Sequence, residues 1–590
     1  MTTALTRAAC LLTAGLILAA APAEAQTQEN AARTGAIPAP AQLSASQRDA
    51  YRSIFAALRA QDWAGAAGRL DGMQSGPLHD LARAMLYTMP GSPRVDLPPI
   101  LDLLARAPDL PQADDLARLA RSRGADALPE LPQAQRLYGL AGQPRRTRPR
   151  PVRGDPVADQ LEPLIQPLIR DDHAVEAEAL LATRSAELSD EARTAFQQRI
   201  AWVYFLNGAD ADARRIAGLA RGGPTEYAVN AEWVSGLAAW RMGDYAAAAT
   251  HFATVSTRTN DVELIAAGHY WAARADTAGG HPERVQARLR AAARLGETFY
   301  GLLAQSALAM RQVPADMTTF TDADWQALSG VRNVRAAIAL SEIGEDDLAA
   351  AMIRRQAAIG NPREHEHLIH LAARLNLTAT QMYLSHNGPR GSHFGPNDRY
   401  PTPNWRPVRG WRVDSSLAFA HALQESQFRA DAVSAAGARG LMQVRPGTAG
   451  DMARARGEPF SAASLSQPTV NIEYGQSYLE YLRDMSSTGG LLPKVIASYN
   501  AGPAPIAEWN TRYDQSDPLL YIEGIPYWET RGYVPIILRN YWIYEARGGD
   551  QSSSRRALAQ GMWPRFPGLA GPAAVRIAPR PRQQTAMGSD

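Results

Sequence analysis

Residues 240–252 read Trp240-Arg241-Met242-Gly243-Asp244-Tyr245-Ala246-Ala247-Ala248-Ala249-Thr250-His251-Phe252. Trp240 and Tyr245, then Ala248 and Phe252, recur with the spacing of a paired-helix repeat. Two segments echo it: Gln61-Asp62-Trp63-Ala64-Gly65-Ala66-Ala67, and Tyr270-Trp271-Ala272-Ala273-Arg274 followed by Gly279-Gly280. Small residues let neighbouring helices approach closely, and the aromatics fill the gaps between pairs. From about 46 to 390 apolar residues keep helical spacing, and strand-like alternation is scarce.

The pattern is close to that of tetratricopeptide repeats, so an all-α protein with a helical solenoid is expected over 46–390. An irregular helical bundle is the alternative. Residues 26–45 are rich in Ala, Pro, Gln and Thr and read as a flexible lead-in. Residues 143–157 carry four prolines, which forbid a continuous helix. Five arginines there suggest a solvent-facing segment, read as a surface linker with an interaction arm as the other option. A second boundary lies at 388–407, after which composition changes. The expected division is a helical domain at 46–390, a second domain at 391–546 and a disordered, Gly/Ser/Pro/Arg-rich tail at 547–590.

The chain has 590 residues, room for three to four domain equivalents at about 150 residues each. Its 61 basic and 59 acidic residues leave a formal charge of +2, no field that would gather nucleic acid or an acidic membrane. Lys494 is the only lysine and no GxxxxGK[ST] run exists, which argues against P-loop chemistry. Residues 1–25 read as a secretory signal peptide: Arg7, an apolar stretch from Ala8 to Ala21, and the small-x-small site Ala23-Glu24-Ala25. The apolar run is shorter than the ~20 residues of a membrane span. Removing it also removes Cys10, the only cysteine, and with it thiol nucleophiles, disulfides and zinc–cysteine sites. An exported protein without an integral membrane segment after cleavage is expected.

Chemistry concentrates in 413–534. Asp414 can cap a helix with Leu417, Ala418 and Ala422 on its apolar side. Glu425 follows Leu417 by eight residues and Ala418 by seven, which puts its carboxyl on that side. Desolvation there raises a carboxyl pKa and favours the protonated acid, the form a general acid needs. By position alone, a Glu near a helix end is more commonly a surface group. Around it stand Glu425-Ser426-Gln427-Phe428, Ser434-Ala435-Ala436-Gly437-Ala438-Arg439-Gly440-Leu441-Met442-Gln443-Val444, Asn471-Ile472-Glu473-Tyr474-Gly475, Ser498-Tyr499-Asn500-Ala501-Gly502-Pro503, and Ile525-Pro526-Tyr527-Trp528-Glu529-Thr530-Arg531-Gly532-Tyr533-Val534.

In order and spacing these five motifs resemble the soluble lytic murein transglycosylases, whose catalytic domain is goose-lysozyme-like. The resemblance covers about 400–545, and Thr298-Phe299-Tyr300-Gly301-Leu302-Leu303-Ala304 looks like the family's helical region. It implies an N-terminal α-superhelix followed by an α-helical lysozyme-like domain. It implies Glu425 as the acid/base that cleaves the MurNAc-β-1,4-GlcNAc bond of peptidoglycan glycan strands without water, leaving a 1,6-anhydro ring. It implies Ser434 beside the substrate's N-acetyl group, Met442 and Gln443 in the substrate groove, and Tyr499 near the catalytic carboxyl, orienting it or the substrate. Met442 in plain core packing is equally open. Glu529 matches a second acidic residue of the cleft, contacting substrate or pairing with Arg531. Asn500 is expected to hold its loop, and Asn471 and Gly475 to be structural. Val444 replaces a common isoleucine and Ser498 a common alanine. No cofactor is implied, and a periplasmic location is. A hydrolytic muramidase remains open because Glu529 and Asp514 could serve as a second carboxylate. A non-catalytic glycan-binding scaffold is the other rival. His365-Glu366-His367-Leu368-Ile369-His370 misses H-E-x-x-H, since position 369 is Ile, and reads as a solvated helix face with no metal.

Overall fold

The computed structural model describes residues 37–310, 318–549 and 551–579. The signal peptide, Cys10 and residues 26–36 of the lead-in lie outside the described residues. Nearly all the regular structure among those described is helical. Four two-residue strands form two short antiparallel pairs, Tyr138–Gly139 with Asn387–Gly388 and Trp563–Pro564 with Ala574–Val575. The protein is all-α, as the helical periodicity requires.

The chain folds as two compact units. One holds residues 37–135 and 318–377, the other 136–310 and 378–579, so position 391 falls inside the second. In the first unit, helix Ala45–Arg59 starts on a capping box between Ser44 and Gln47 and buries Tyr51, Ile54, Phe55 and Leu58. In the same unit, His367 and His370 are not on a merely solvated face. Both turn their Nδ1 atoms to Asp324, at 2.6 and 2.9 Å.

The second unit begins as a run of helices, each packed on the next: Asp190–Leu206, Asp210–Ala220, Glu226–Met242, Tyr245–Arg258 and Val262–Ala278. Their short connections make consecutive helices antiparallel. Asp244 caps the helix that Tyr245 opens. The Trp240 ring meets Tyr245 edge-on at 5.2 Å and Trp271 at 5.5 Å, so the motif aromatics join three successive helices.

The arginine-rich segment 143–157 runs mostly along the surface, with Arg145, Arg148, Arg150 and Arg153 exposed, and is tied down at a few points. Arg146 grips Glu523 through two hydrogen bonds of 2.6 and 2.7 Å, with Glu523 only 1% exposed, and lies over the Trp233 ring. Thr147 donates through its amide and hydroxyl to Asp261, and Asp155 caps the helix Pro156–Arg170. No helix runs through Pro144, Pro149 and Pro151, and the bonds of Arg146, Thr147 and Asp155 pin the extended chain to the helices beneath it. Glu523 also accepts from the Tyr300 hydroxyl at 2.6 Å, which in turn accepts from Trp271 Nε1 at 2.9 Å. Arg539 pairs with buried Glu263 at 3.2 Å. These buried polar links fix the helices of residues 503–547 against those of 226–307.

The expectation of a disordered tail is corrected for 551–579. Helix Ser553–Ala559 accepts the Trp542 indole on Ser554, and Trp563 is fully buried with its Nε1 donating to the Gln515 carbonyl.

Candidate active site

Glu425 occupies the last turn of helix Ser415–Ser426, whose N-terminus Asp414 caps. Leu417, Ala418 and Ala422 are buried, as the spacing predicts. The helix stops abruptly. Gln427 and Phe428 take left-handed backbones with φ of 52° and 62°. The Phe428 amide donates to the Ala422 carbonyl, and its ring is buried. Two consecutive non-glycine residues in this region store strain two and three positions after Glu425, a pattern that clusters at functional sites.

Burial pushes the Glu425 carboxyl up to about 7, aided by the nearby charge of Glu529 and opposed by a hydrogen bond from Tyr533. The residue keeps part of its surface open. The Tyr533 hydroxyl donates to Glu425 Oε1 at 2.5 Å. Burial holds the Tyr533 phenol far above its ordinary range, so it remains the donor. Tyr533 belongs to helix Trp528–Arg547, with Glu529 one turn earlier on the same face. Glu529 is exposed and accepts from Asn500 Nδ2 at 3.2 Å. It does not pair with Arg531, which donates to the Ile525 carbonyl and stacks on Trp202 at 3.9 Å.

Tyr499 stands nearby but bonds elsewhere. Its hydroxyl donates to the Met442 carbonyl at 2.7 Å, and Glu425 acts on it only through charge. The loop 428–445 is held by a small ladder in which Arg439 bridges Val433 and Val444. Ser434 is exposed and ties its own turn, accepting from the Ala438 amide at 3.0 Å. Gln443, at φ 48°, bends its side chain to the carbonyls of Ala432 and Gly440. Met442 is fully buried, so its side chain is not an open groove wall. A Cβ on Gly475 would sit 2.3 Å from its sulfur, and this close approach is what the glycine permits. Asn471, wholly buried, accepts from the Met442 amide and donates to the carbonyls of Arg439 and Leu465, all at 2.8 Å. Ser426 Oγ donates to the Leu441 carbonyl at 2.8 Å. The loop is thus bolted to the Glu425 helix on one side and to helix Pro468–Asp484 on the other.

The structure therefore gathers Glu425, Tyr499, Glu529 and the backbone of Met442, while Ser434 and Gln443 shape the loop beside them. Sequence reasoning assigned no role to Tyr533, Ser426 or His421. His421 is buried against Tyr499, its ring 4.7 Å away, with Nδ1 on the Leu417 carbonyl, and burial lowers it to about 4. It is a neutral packing group. Asp514, a possible second carboxylate, accepts from the amide and hydroxyl of Ser516. A cavity of about 860 Å³ elsewhere in this unit is lined by Arg146, Trp202 and Arg531 but holds none of the Glu425 group.

Residues 407–522 match the Transglycosylase SLT domain. The match contains Glu425, the 428–445 loop, Asn471 and Tyr499; Glu529 and Tyr533 lie beyond it. The chain is 34% identical over 159 residues to the soluble lytic murein transglycosylase of Escherichia coli K12, covering 26% of this chain and 24% of that protein. It is 36% identical over 106 residues to the membrane-bound lytic murein transglycosylase C of Mannheimia succiniciproducens, covering 17% of this chain and 30% of that one. The chain thus aligns with about a quarter of these relatives' length. The fold extends further. The 70 kDa soluble lytic transglycosylase of E. coli superposes with a TM-score of 0.54 at 19% identity, covering 88% of this chain and 99% of that one. Lytic transglycosylase Slt of Pseudomonas aeruginosa gives 0.53 at 22%, covering 90% and 77%. The helical run followed by a lysozyme-like domain is shared with both.

Proposed function

We propose that this chain is a lytic transglycosylase that cleaves the MurNAc-β-1,4-GlcNAc bond of peptidoglycan. The observation that carries this is the half-open Glu425 carboxyl, raised to about 7 and held by the Tyr533 hydroxyl within an SLT domain. Near neutral pH a large fraction of Glu425 is protonated. It donates its proton to the glycosidic oxygen as the bond to muramic acid C1 breaks, and the sugar's own N-acetyl group supports the developing cation. The resulting carboxylate takes the proton of the C6 hydroxyl, whose oxygen closes on C1. Glu425 ends protonated again, no water is consumed, and a 1,6-anhydro sugar is left. Ser434, Gln443, Tyr499 and Glu529 form the groove in this reading, and buried Met442 supports it from beneath by holding Tyr499. Residues 391–546 act as the catalytic domain and 46–390 as the α-superhelical domain that precedes it. The chain works in the periplasm after removal of residues 1–25; no described helix is long and apolar enough to cross a membrane.

Glu529 supports a second reading, since its exposed carboxylate acts electrostatically on Glu425 and could activate water. Mass spectrometry of fragments released from peptidoglycan decides between them. Products lighter by one water, with no new reducing ends, are expected; reducing muramic ends would make the enzyme a hydrolase. Glu425→Gln is expected to abolish release while glycan binding persists. Release by a folded Glu425→Gln protein would sink both readings.

A further inference from the structure

Outside the SLT domain, three side chains bring ligand atoms to one point. Asp324 is the third residue of helix Asp322–Leu328, where it completes a capping box with Thr321. Its Oδ2 accepts from the Thr321 amide and hydroxyl, both at 2.7 Å. Its Oδ1 accepts from His367 Nδ1 at 2.6 Å and His370 Nδ1 at 2.9 Å. The histidines are three residues apart on helix His365–Arg374 and so share one face. The Asp324 side chain is 3% exposed, those of His367 and His370 32% and 21%. One ligand is therefore rigid and buried, and two can rotate and reach solvent. All three ligand atoms lie within 4.8 Å of one another.

We propose that Asp324, His367 and His370 form a transition-metal site of the zinc class that pins helix Asp322–Leu328 to helix His365–Arg374. Two imidazoles and one carboxylate suit zinc, with cobalt, nickel and copper able to compete, and offer too few oxygens for calcium or magnesium. Metal–ligand bonds of ~2.0–2.1 Å place tetrahedral ligand atoms about 3.3 Å apart. The present N···O separations must open by about half an ångström, which the part-exposed imidazoles can do by rotation. In the metal-free form each Nδ1–H donates to Asp324. On binding, each Nδ1 gives up that proton, to its own Nε2 or to solvent, and turns its lone pair to the metal. Solvent fills the fourth position. Thr321 supplies the outer hydrogen bonds that orient the carboxylate, the usual support of such ligands. The site stands independently of the transglycosylase reading.

The test uses the full mature chain without a histidine tag, stripped with EDTA and dialysed. Zinc is titrated at neutral pH against a chelating dye, and cobalt is followed by its visible absorption. The expected result is one tightly bound equivalent per chain, with the strong cobalt bands of four-coordinate geometry. His367→Gln/His370→Gln should lose both. Thr321→Ala, which keeps all three ligands, should bind roughly tenfold more weakly. Circular dichroism on the metal-free proteins separates lost binding from lost folding, and zinc should raise the melting temperature of the parent but not of the double variant. Zinc bound equally by the double variant, or none bound by the parent beyond that background, would show a hydrogen-bonded cap only and overturn the proposal.

Discussion

Tyr533→Phe removes one O–H beside the acid and leaves the ring. That O–H donates to Glu425 at 2.5 Å and lowers the carboxyl against the larger upward push of burial. A donor to a carboxylate favours the ionised form, so deleting it favours the protonated form and raises the pKa above about 7. Hydrogen bonds to charged groups contribute about 1.5–3 kcal/mol, and one pH unit corresponds to ~1.36 kcal/mol. The full effect would be about one to two pH units. Water can replace part of the bond at a half-open site, which puts the expectation near one. Because the protonated carboxyl does the work, the alkaline limb of kcat/KM should move up to about pH 8. The plateau should fall roughly tenfold as the carboxyl loses its fixed orientation. The assay is product release from soluble glycan strands across the pH range, with Glu425→Gln as blank. A lower plateau with the limb unmoved, or moved to lower pH, would refute Tyr533 as the group that sets the Glu425 proton.

Glu425→Gln also reports on stability. The folded chain holds a proton up to about 7 that an unfolded Glu releases at 4.5, so stability is full below 4.5 and drains as pH rises through about 7. The Gln variant should match its parent in acid and exceed it above about pH 8, by at most roughly 3 kcal/mol in urea unfolding. Asn471→Ala leaves a buried amide and two carbonyls without their partner and should cost about 3 kcal/mol, with activity lost as the Met442 loop loosens. Gly475→Ala drives a methyl into the buried Met442 sulfur and should cost about 1–3 kcal/mol, less when combined with Met442→Ala than the two single costs summed. Glu523→Gln strips the Arg146 guanidinium of its carboxylate and should cost about 3 kcal/mol in thermal unfolding.

The helical character of the chain was legible because small residues and aromatics at helical spacing leave few other ways to bury their faces. Two segments hold a partner that composition does not show. Four prolines rule out a continuous helix in 143–157, and four of its five arginines are exposed, as the composition suggests; Arg146 is the exception. Arg146 pairs with buried Glu523, 377 residues further on, and no local pattern shows a partner at that distance. The Gly- and Ser-rich end hid Trp563 in the same way. A single tryptophan adds little to composition, yet its large apolar body, with an indole donor satisfied by Gln515, is enough to hold a short helix and a strand pair on the core. The run around His367 and His370 misses H-E-x-x-H and so reads as a solvated face, and the carboxylate that joins the two rings is on another helix, 43 residues before His367.

In the site, the acid was legible and its hydrogen-bond partner was not, although the sequence held the means to find it. Once Glu529 is placed in the cleft, helical geometry carries Tyr533, four residues on, to the same face. Tyr499 looked the better candidate only because its motif is familiar. It sits in the last turn of helix Leu492–Ala501, and from there its hydroxyl reaches the Met442 carbonyl. Met442 itself shows why motif matching alone misplaces roles. Its side chain goes into the core over Gly475, its amide to Asn471 and its carbonyl to Tyr499. A residue fixed at all three points holds the loop floor steady beside Glu425, and that role needs the side chain for packing and the backbone for bonding. Substitutions that keep the volume, such as Met442→Leu, should therefore spare the site, whereas Met442→Ala should not.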